Sequence, residues 1–129
     1  MKTRSITRVI VIAICVAMVF SSYAFAAIND YGDVGTTDVH GHLYISGSSV
    51  AAGTYAEATI RYMNVSVVTY DRYSTPLSSS STVPAYNTKG VATPYISKGA
   101  SATSAIGNHY ADDTYHGGYE WWGQTSYDY

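Results

Sequence analysis

The stretch of residues 54–70, TYAEATIRYMNVSVVTY, decides the class of fold. Apolar side chains occupy every second position of its first half, at Ala56, Ala58, Ile60 and Tyr62, and then the odd positions Val65 and Val67. A period of two is typical of a half-buried β-strand. Because successive side chains point to opposite faces of a strand, the change of phase after Met63-Asn64 predicts a bulge or a turn there.

The composition extends this interpretation to the whole chain. Its 129 residues include 14 tyrosines and 11 glycines, together with many valines, threonines and serines. Tyr, Val and Thr favour a pleated, half-buried surface, whereas Gly and Ser favour turns. We therefore predict an all-β domain, either a small antiparallel β-sandwich or a barrel-like pair of sheets, with about 5–7 strands.

Turn-forming residues interrupt this pattern in three places. Residues 27–38 are acidic and rich in turn formers, which predicts a loosely held N-terminal arm or edge. Residues 75–84 place four consecutive serines between two prolines, which predicts a Ser/Pro loop outside any central strand. Residues 108–118 are polar and are predicted as a turn, and residues 119–129 as the last strand.

The N-terminus has the organisation of a signal peptide. Three basic residues precede an unbroken apolar run from Val9 to Phe20, and an Ala-Phe-Ala tripeptide ends at Ala26. This combination predicts a signal peptide over residues 1–26, cleaved between Ala26 and Ala27. The apolar run is shorter than the ~20 residues of a spanning helix, so no stable membrane insertion is expected after cleavage. Residues 27–129 are then a single secreted domain.

Charge and cysteine content narrow the range of partners and chemistries. Three of the seven Lys and Arg residues, and the single Cys15, lie in the predicted signal peptide, whereas all nine acidic residues lie beyond it. The mature chain therefore has a formal net charge of −5, which argues against nucleic acid as a partner. It has no cysteine for a disulfide, a zinc site or a nucleophile. Export without disulfides is more typical of a bacterial protein than of an animal one.

Asp38, His40 and His42 form the candidate metal site. In an extended strand these three side chains share one face, and two neutral imidazoles with a carboxylate suit Zn²⁺. A further ligand would have to come from His109 or His116. The alternative is an exposed polar strand face. Apart from this candidate zinc site, the sequence indicates no cofactor.

The last strand contains the candidate binding site. Its alternation places Trp121 on one face and Glu120, Trp122 and Gln124 on the other. An exposed Trp beside a carboxylate and an amide can stack on a sugar ring or anchor a protein interface. The alternative is that both tryptophans pack in the core, since Trp is highly buried on average.

No catalytic motif accompanies these features. The sequence has no G-x-S-x-G elbow, no H-E-x-x-H pair and no phosphate-cradling glycine loop, so we expect a protein that is not an enzyme. We expect a small secreted bacterial protein that acts by binding a cell-surface, glycan, cell-wall or protein partner. A secreted antimicrobial or toxin-like protein is the alternative. In composition and organisation the chain resembles the lactococcin-972-like bacteriocins, which are exported, cysteine-poor β domains rich in Tyr, Gly and Ser, and this resemblance implies inhibition of bacterial growth.

Overall fold

The structure, a computed structural model, describes residues 28–129. These residues form eight antiparallel strands. The strands are β1 (Asn29–Val34), β2 (Thr37–Ser46), β3 (Ser49–Tyr70), β4 (Pro76–Ser79), β5 (Val83–Ala92), β6 (Ile96–Ser97), β7 (Ser104–Asp113) and β8 (Tyr119–Asp128). The predicted all-β class is confirmed, and the architecture is a nearly closed, barrel-like sheet. The predicted strand number was too low, because β1 and β4 come from segments predicted as an arm and a loop.

Strand β3 organises the sheet because its 22 residues are long enough for several partners. Residues 53–55 pair with both β2 and β5, and residues 62–65 pair with both β5 and β7. Strands β2 and β7 therefore share one edge of β3, one along each half. The opposite edge pairs with β6, β5 and β4 in turn.

Strands β1 and β8 meet at a seam that side chains close. The sheet runs in the order β1-β2-β3-β7-β8, so β1 and β8 are its two ends. A carboxylate oxygen of Asp30 in β1 accepts a 2.8 Å hydrogen bond from the backbone N–H of Gln124 in β8. The ring of Trp121 covers Gly32, where a β-carbon would lie 2.1 Å from the indole nitrogen. The bare backbone at Gly32 thus makes room for the indole that bridges the seam.

Two apolar clusters fill the interior. The first contains Leu43, Val50, Ala52, Val65, Val67 and Ala105, and the second contains Val34, Val39, Ile60, Met63 and Ala111. Their members come from β1, β2, β3 and β7, so each cluster joins strands that are distant in the sequence. Trp121 of β8 packs against the second cluster.

The change of phase in β3 lies earlier than predicted. Ile60 and Met63 are both fully buried, whereas Tyr62, predicted on the same face as Ile60, lies on the outer face. The register against β5 shifts between Tyr55 and Ile60. The irregularity predicted after Asn64 is therefore wrong in position, and β3 continues without interruption to Tyr70.

The N-terminal segment is more ordered than an arm. Residues 29–34, within the predicted arm or edge of residues 27–38, pair with β2 residue for residue, and Val34 is fully buried. Gly35 has φ of 63°, a conformation that glycine adopts without steric cost, and this allows the tight turn between β1 and β2. The burial of Val34 then ties β1 to the core.

The Ser/Pro segment also differs from the prediction. Within residues 75–84, Pro76–Ser79 form β4, and Pro84 lies near the start of β5. Each of these strands pairs only with β3, so its other edge is unpaired. A proline in an edge strand need not remove a ladder hydrogen bond. The prolines kept the segment out of a central strand, as predicted, but not out of the sheet.

The segment 108–118 is only partly a turn. Residues 108–113 complete β7, with His109, Ala111 and Asp113 buried on its inner face. Because His109 and Asp113 at these inward-facing positions are polar, a pattern based on hydrophobicity does not detect the strand. The signal peptide predicted over residues 1–26 lies outside the described residues. Within residues 28–129, no helix has the length and apolar character needed to cross a membrane.

Candidate functional site

The two tryptophans of β8 face in opposite directions, as the alternation predicts. Trp122 is 74% exposed, whereas Trp121 is half-buried against the core. Thr125, on the same face as Trp121, is fully buried. An indole as exposed as that of Trp122 gains little from packing and is available to a partner.

A groove of about 620 Å³ opens beside Trp122. It is lined by residues of β1, β3, β7 and β8, namely Asp30, Asn64, Asn108, His109, Tyr110, Trp122, Gly123 and Gln124. The groove thus extends from β3 across β7 and β8 to Asp30 at the seam, where side chains rather than a backbone ladder join β8 to β1. It contains two of the predicted binding residues, Trp122 and Gln124.

An aromatic wall forms one side of this groove. Tyr110 and Trp122 are directly opposite each other on β7 and β8, and their ring centroids are 4.4 Å apart. Burial, followed by the charge of Asp112, raises the pKa of Tyr110 to about 12. The phenol is protonated near neutral pH, and its hydroxyl donates a 3.3 Å hydrogen bond to the carboxylate of Asp112.

A row of amides forms the polar part of the groove. Asn108 is directly opposite Gln124, whose side-chain nitrogen donates a 3.1 Å hydrogen bond to the Asn108 oxygen. Asn64 is opposite Tyr110 on the neighbouring strand, and its side-chain nitrogen donates to the Tyr62 hydroxyl at 3.1 Å. Amides both donate and accept hydrogen bonds, so this row can serve a ligand that carries hydroxyl or amide groups.

Glu120, the third predicted binding residue, lies next to this groove rather than in its lining. It is exposed and faces Asp112 across β7 and β8. Asp112 itself forms an ion pair with Arg61. The structure therefore brings Trp122 and Gln124 together in the groove and leaves Glu120 at its charged border.

A polar network lies beneath the groove. His109 is only 2% exposed, and its Nδ1 and Nε2 are 3.0 Å and 2.9 Å from the hydroxyls of Thr54 and Thr125. The Thr54 hydroxyl also donates to the backbone carbonyl of Asn64 at 3.0 Å. With that hydrogen committed to Asn64, Nδ1 must donate to Thr54, so Nε2 accepts from Thr125. Both nitrogens of the neutral imidazole are thus satisfied.

The imidazole of His109 occupies space that side chains at two glycines would fill. A β-carbon at Gly41 would lie 2.4 Å from Cδ2 of His109, and one at Gly107 would lie 3.0 Å from Nε2. Burial, more than any other effect, lowers the pKa of His109 to about 4, although Asp30 opposes this. His109 is therefore neutral near neutral pH and supports the floor of the groove.

Asp113 also belongs to the interior, although the sequence suggests a solvated loop. Its side chain is fully buried and accepts hydrogen bonds from the backbone N–H groups of Arg61 at 3.2 Å and Tyr115 at 2.9 Å. Its other oxygen is hydrogen-bonded to Nδ1 of His116. Burial alone would raise the pKa of Asp113, but the hydrogen bond with His116, followed by those from the two backbone N–H groups, lowers it below its ordinary value. Asp113 thus anchors the turn between β7 and β8.

The predicted metal residues lie on the outer face of β2. Asp38 is exposed, His40 stacks between Tyr31 and Tyr55, and Nδ1 of His42 is hydrogen-bonded to Asn29. Among residues 28–129, no group of three or more His, Cys, Asp or Glu side chains is arranged to hold a metal ion. His109 and His116, the predicted sources of a further ligand, have other partners. His109 lies between two threonine hydroxyls, and His116 contacts the buried carboxylate of Asp113.

Zinc titration tests the predicted metal site directly. If Asp38, His40 and His42 bind Zn²⁺, the metal raises the Tm near neutral pH, because a ligand that binds only the folded state stabilises it. The double variant His40→Ala/His42→Ala should then lose this rise and keep the Tm of the metal-free protein. A Tm that is unchanged by zinc would eliminate the site.

Comparison with known proteins defines no family for this chain. Neither the protein-family models nor the curated proteins contain a match to the sequence. A crystal structure of wild-type OgpA from Akkermansia muciniphila is similar over 82% of this chain, with a TM-score of 0.38 and 12% identity. The matched part covers 28% of the OgpA chain.

Proposed function

We propose that this protein is a secreted bacterial binding module, without catalytic activity, whose groove beside Trp122 binds carbohydrate. The observation that carries the proposal is the pairing of a 74% exposed indole with a row of amides in one groove. The indole offers an apolar face for a sugar ring, and the amides offer hydrogen bonds to its hydroxyls. A few such polar groups in a concave site orient a small ligand.

The surrounding charge supports an uncharged ligand. The described residues contain four Lys and Arg and nine Asp and Glu, and Asp30 lines the groove itself. A net-negative surface repels anionic polymers such as nucleic acids or acidic glycans. We therefore propose a neutral glycan of a cell surface or cell wall as the partner, with Trp122 as the stacking residue and Gln124 as the polar contact.

Truncation of Trp122 tests this function. In a binding assay with soluble N-acetylglucosamine and cello-oligosaccharides, Trp122→Ala should weaken binding about 30-fold or more, as expected for an aromatic residue that dominates an interface. Tyr73→Ala is the matched control, because Tyr73 is 71% exposed but lies outside the groove. It should bind as the unmodified chain does.

Two results would contradict the proposal. The first is that the unmodified protein binds none of these oligosaccharides and does not bind purified peptidoglycan. The second is growth inhibition of bacteria by the purified domain, which would favour the bacteriocin-like alternative. A binding module of the proposed kind leaves such cells unharmed.

A further inference from the structure

Four aromatic rings form a continuous row across the outer face of β5, β3, β7 and β8. Tyr86 lies opposite Tyr62, and Tyr110 lies opposite Trp122. Successive ring centroids along the row are 4.9 Å, 5.8 Å and 4.4 Å apart. We call these four residues the aromatic row. It begins in the groove, at Trp122, and ends well outside it, at Tyr86.

The exposure of these rings is greatest at the two ends. Tyr86 is 67% exposed and Trp122 is 74% exposed, whereas Tyr62 and Tyr110 between them are half-buried. Three strand spacings separate the ends, which corresponds to about 14 Å. This distance exceeds the size of one sugar ring. The aromatic row thus offers two separate stacking positions to one extended ligand.

The amides follow the same direction as the rings. Asn64 lies two residues after Tyr62 in β3, Asn108 lies two residues before Tyr110 in β7, and Gln124 lies two residues after Trp122 in β8. Because neighbouring strands are antiparallel, these three displacements have the same direction in space. Side chains two positions apart share one face of a strand, so the amides run beside the aromatic row across β3, β7 and β8. A ligand that lies over the rings therefore has hydrogen-bonding groups along one side.

We propose, on the basis of the function proposed above, that the site recognises a linear, neutral, N-acetylated glycan that spans from Trp122 to Tyr86. An uncharged chain suits the acidic surface, and its acetamido groups can pair with the row of amides. Trp122 holds one sugar ring, and Tyr86 holds another further along the chain. Affinity then depends on chain length, because only a longer glycan reaches both rings.

Binding of N-acetylglucosamine oligosaccharides, from the disaccharide to the hexasaccharide, tests this extension by calorimetry. The unmodified chain should bind the hexasaccharide more tightly than the disaccharide. Tyr86→Ala should weaken hexasaccharide binding about fivefold or more and leave disaccharide binding unchanged, as expected if Tyr86 is one of the few aromatic residues that dominate the interface. Trp122→Ala should weaken binding of both. Tyr95→Ala, at a 57% exposed tyrosine outside the row, is the control and should change neither.

The outcomes separate this inference from the proposed function. Loss of binding in Trp122→Ala with an unaltered hexasaccharide affinity in Tyr86→Ala overturns the extended site and leaves the groove intact. Failure of every oligosaccharide to bind overturns both. Far-ultraviolet circular dichroism and Tm identify any variant that fails to fold. If Tyr86→Ala does not fold, Tyr86→Phe replaces it. This variant retains the ring and should bind the hexasaccharide as the unmodified chain does. Weaker binding by folded Tyr86→Phe also overturns the extended site.

Discussion

Replacement of Trp121 with alanine is expected to lower the free energy of unfolding by about 3–5 kcal/mol, as removal of a large core side chain does. Its indole packs on the second apolar cluster, covers Gly32 across the seam and stacks over His109 at a centroid distance of 6.2 Å. The variant loses all three contacts at once. Small domains have a total stability of about 5–15 kcal/mol, so denaturant unfolding should show a large fall in midpoint.

The neighbouring tryptophan provides the control for this experiment. Trp122→Ala changes the same side chain in the same strand, but it removes an exposed ring and should alter stability by less than about 1 kcal/mol. A similar loss of stability in both variants would show that Trp122 also supports the fold. Its assignment to a binding surface would then fail.

Mild acid is expected to destabilise the protein through His109. The pKa of its imidazole is 6.5 in the unfolded chain and about 4 in the folded one, so between these values the unfolded state binds more protons. The contribution of neutral His109 to the free energy of unfolding is therefore fully present above about pH 6.5. It falls as the pH is lowered towards 4, by up to about 3 kcal/mol. Chemical denaturation at a series of pH values in this window measures the fall.

The variant His109→Gln isolates this contribution. Glutamine keeps a donor and an acceptor for Thr54 and Thr125 but does not titrate, so its stability should depend less on pH between 6.5 and 4. His42, whose pKa is lowered by burial and then by His40, contributes a remaining slope in the same direction. An unchanged pH dependence in His109→Gln would show that the network does not control acid stability.

The fold class could be predicted because its signal is local. Alternation in residues 54–70 and the abundance of Tyr, Val and Thr both reflect a pleated strand with one buried face. The sharing of one edge of β3 by β2 and β7 depends on strand pairing between distant residues, and no local pattern encodes it. For the segment that forms β1 the sequence predicts only an arm or edge, because its pairing with β2 and the burial of Val34 are long-range effects.

Part of the candidate site could be predicted in the same way. The opposite orientations of Trp121 and Trp122 follow from a period of two, and Gln124 necessarily shares the outer face. The other amides, Asn64 and Asn108, lie on strands whose neighbours cannot be inferred from sequence alone. Their arrival beside Trp122 requires the register of β3 with β7 and of β7 with β8.

The buried polar residues could not be anticipated at all. His109 and Asp113 lie in a segment whose polarity predicts a turn, yet their hydrogen bonds satisfy them inside the barrel. A buried polar group costs little when its partners are in place, and hydrophobicity patterns do not detect those partners. The two threonines that flank His109 come from β3 and β8, far from it in the sequence.

The long strand β3 determines how this protein loses its structure. Every ladder except β1–β2 and β7–β8 includes β3, so no set of strands on either side of it forms a sheet that can stand alone. We therefore expect unfolding to be a single cooperative transition, and we expect the backbone amides of β3 to exchange with solvent only when the whole domain opens. The amides of β1 and β8 each have one ladder and a seam held by side chains. We expect them to exchange earlier, through local opening, so that the sheet opens first at the seam.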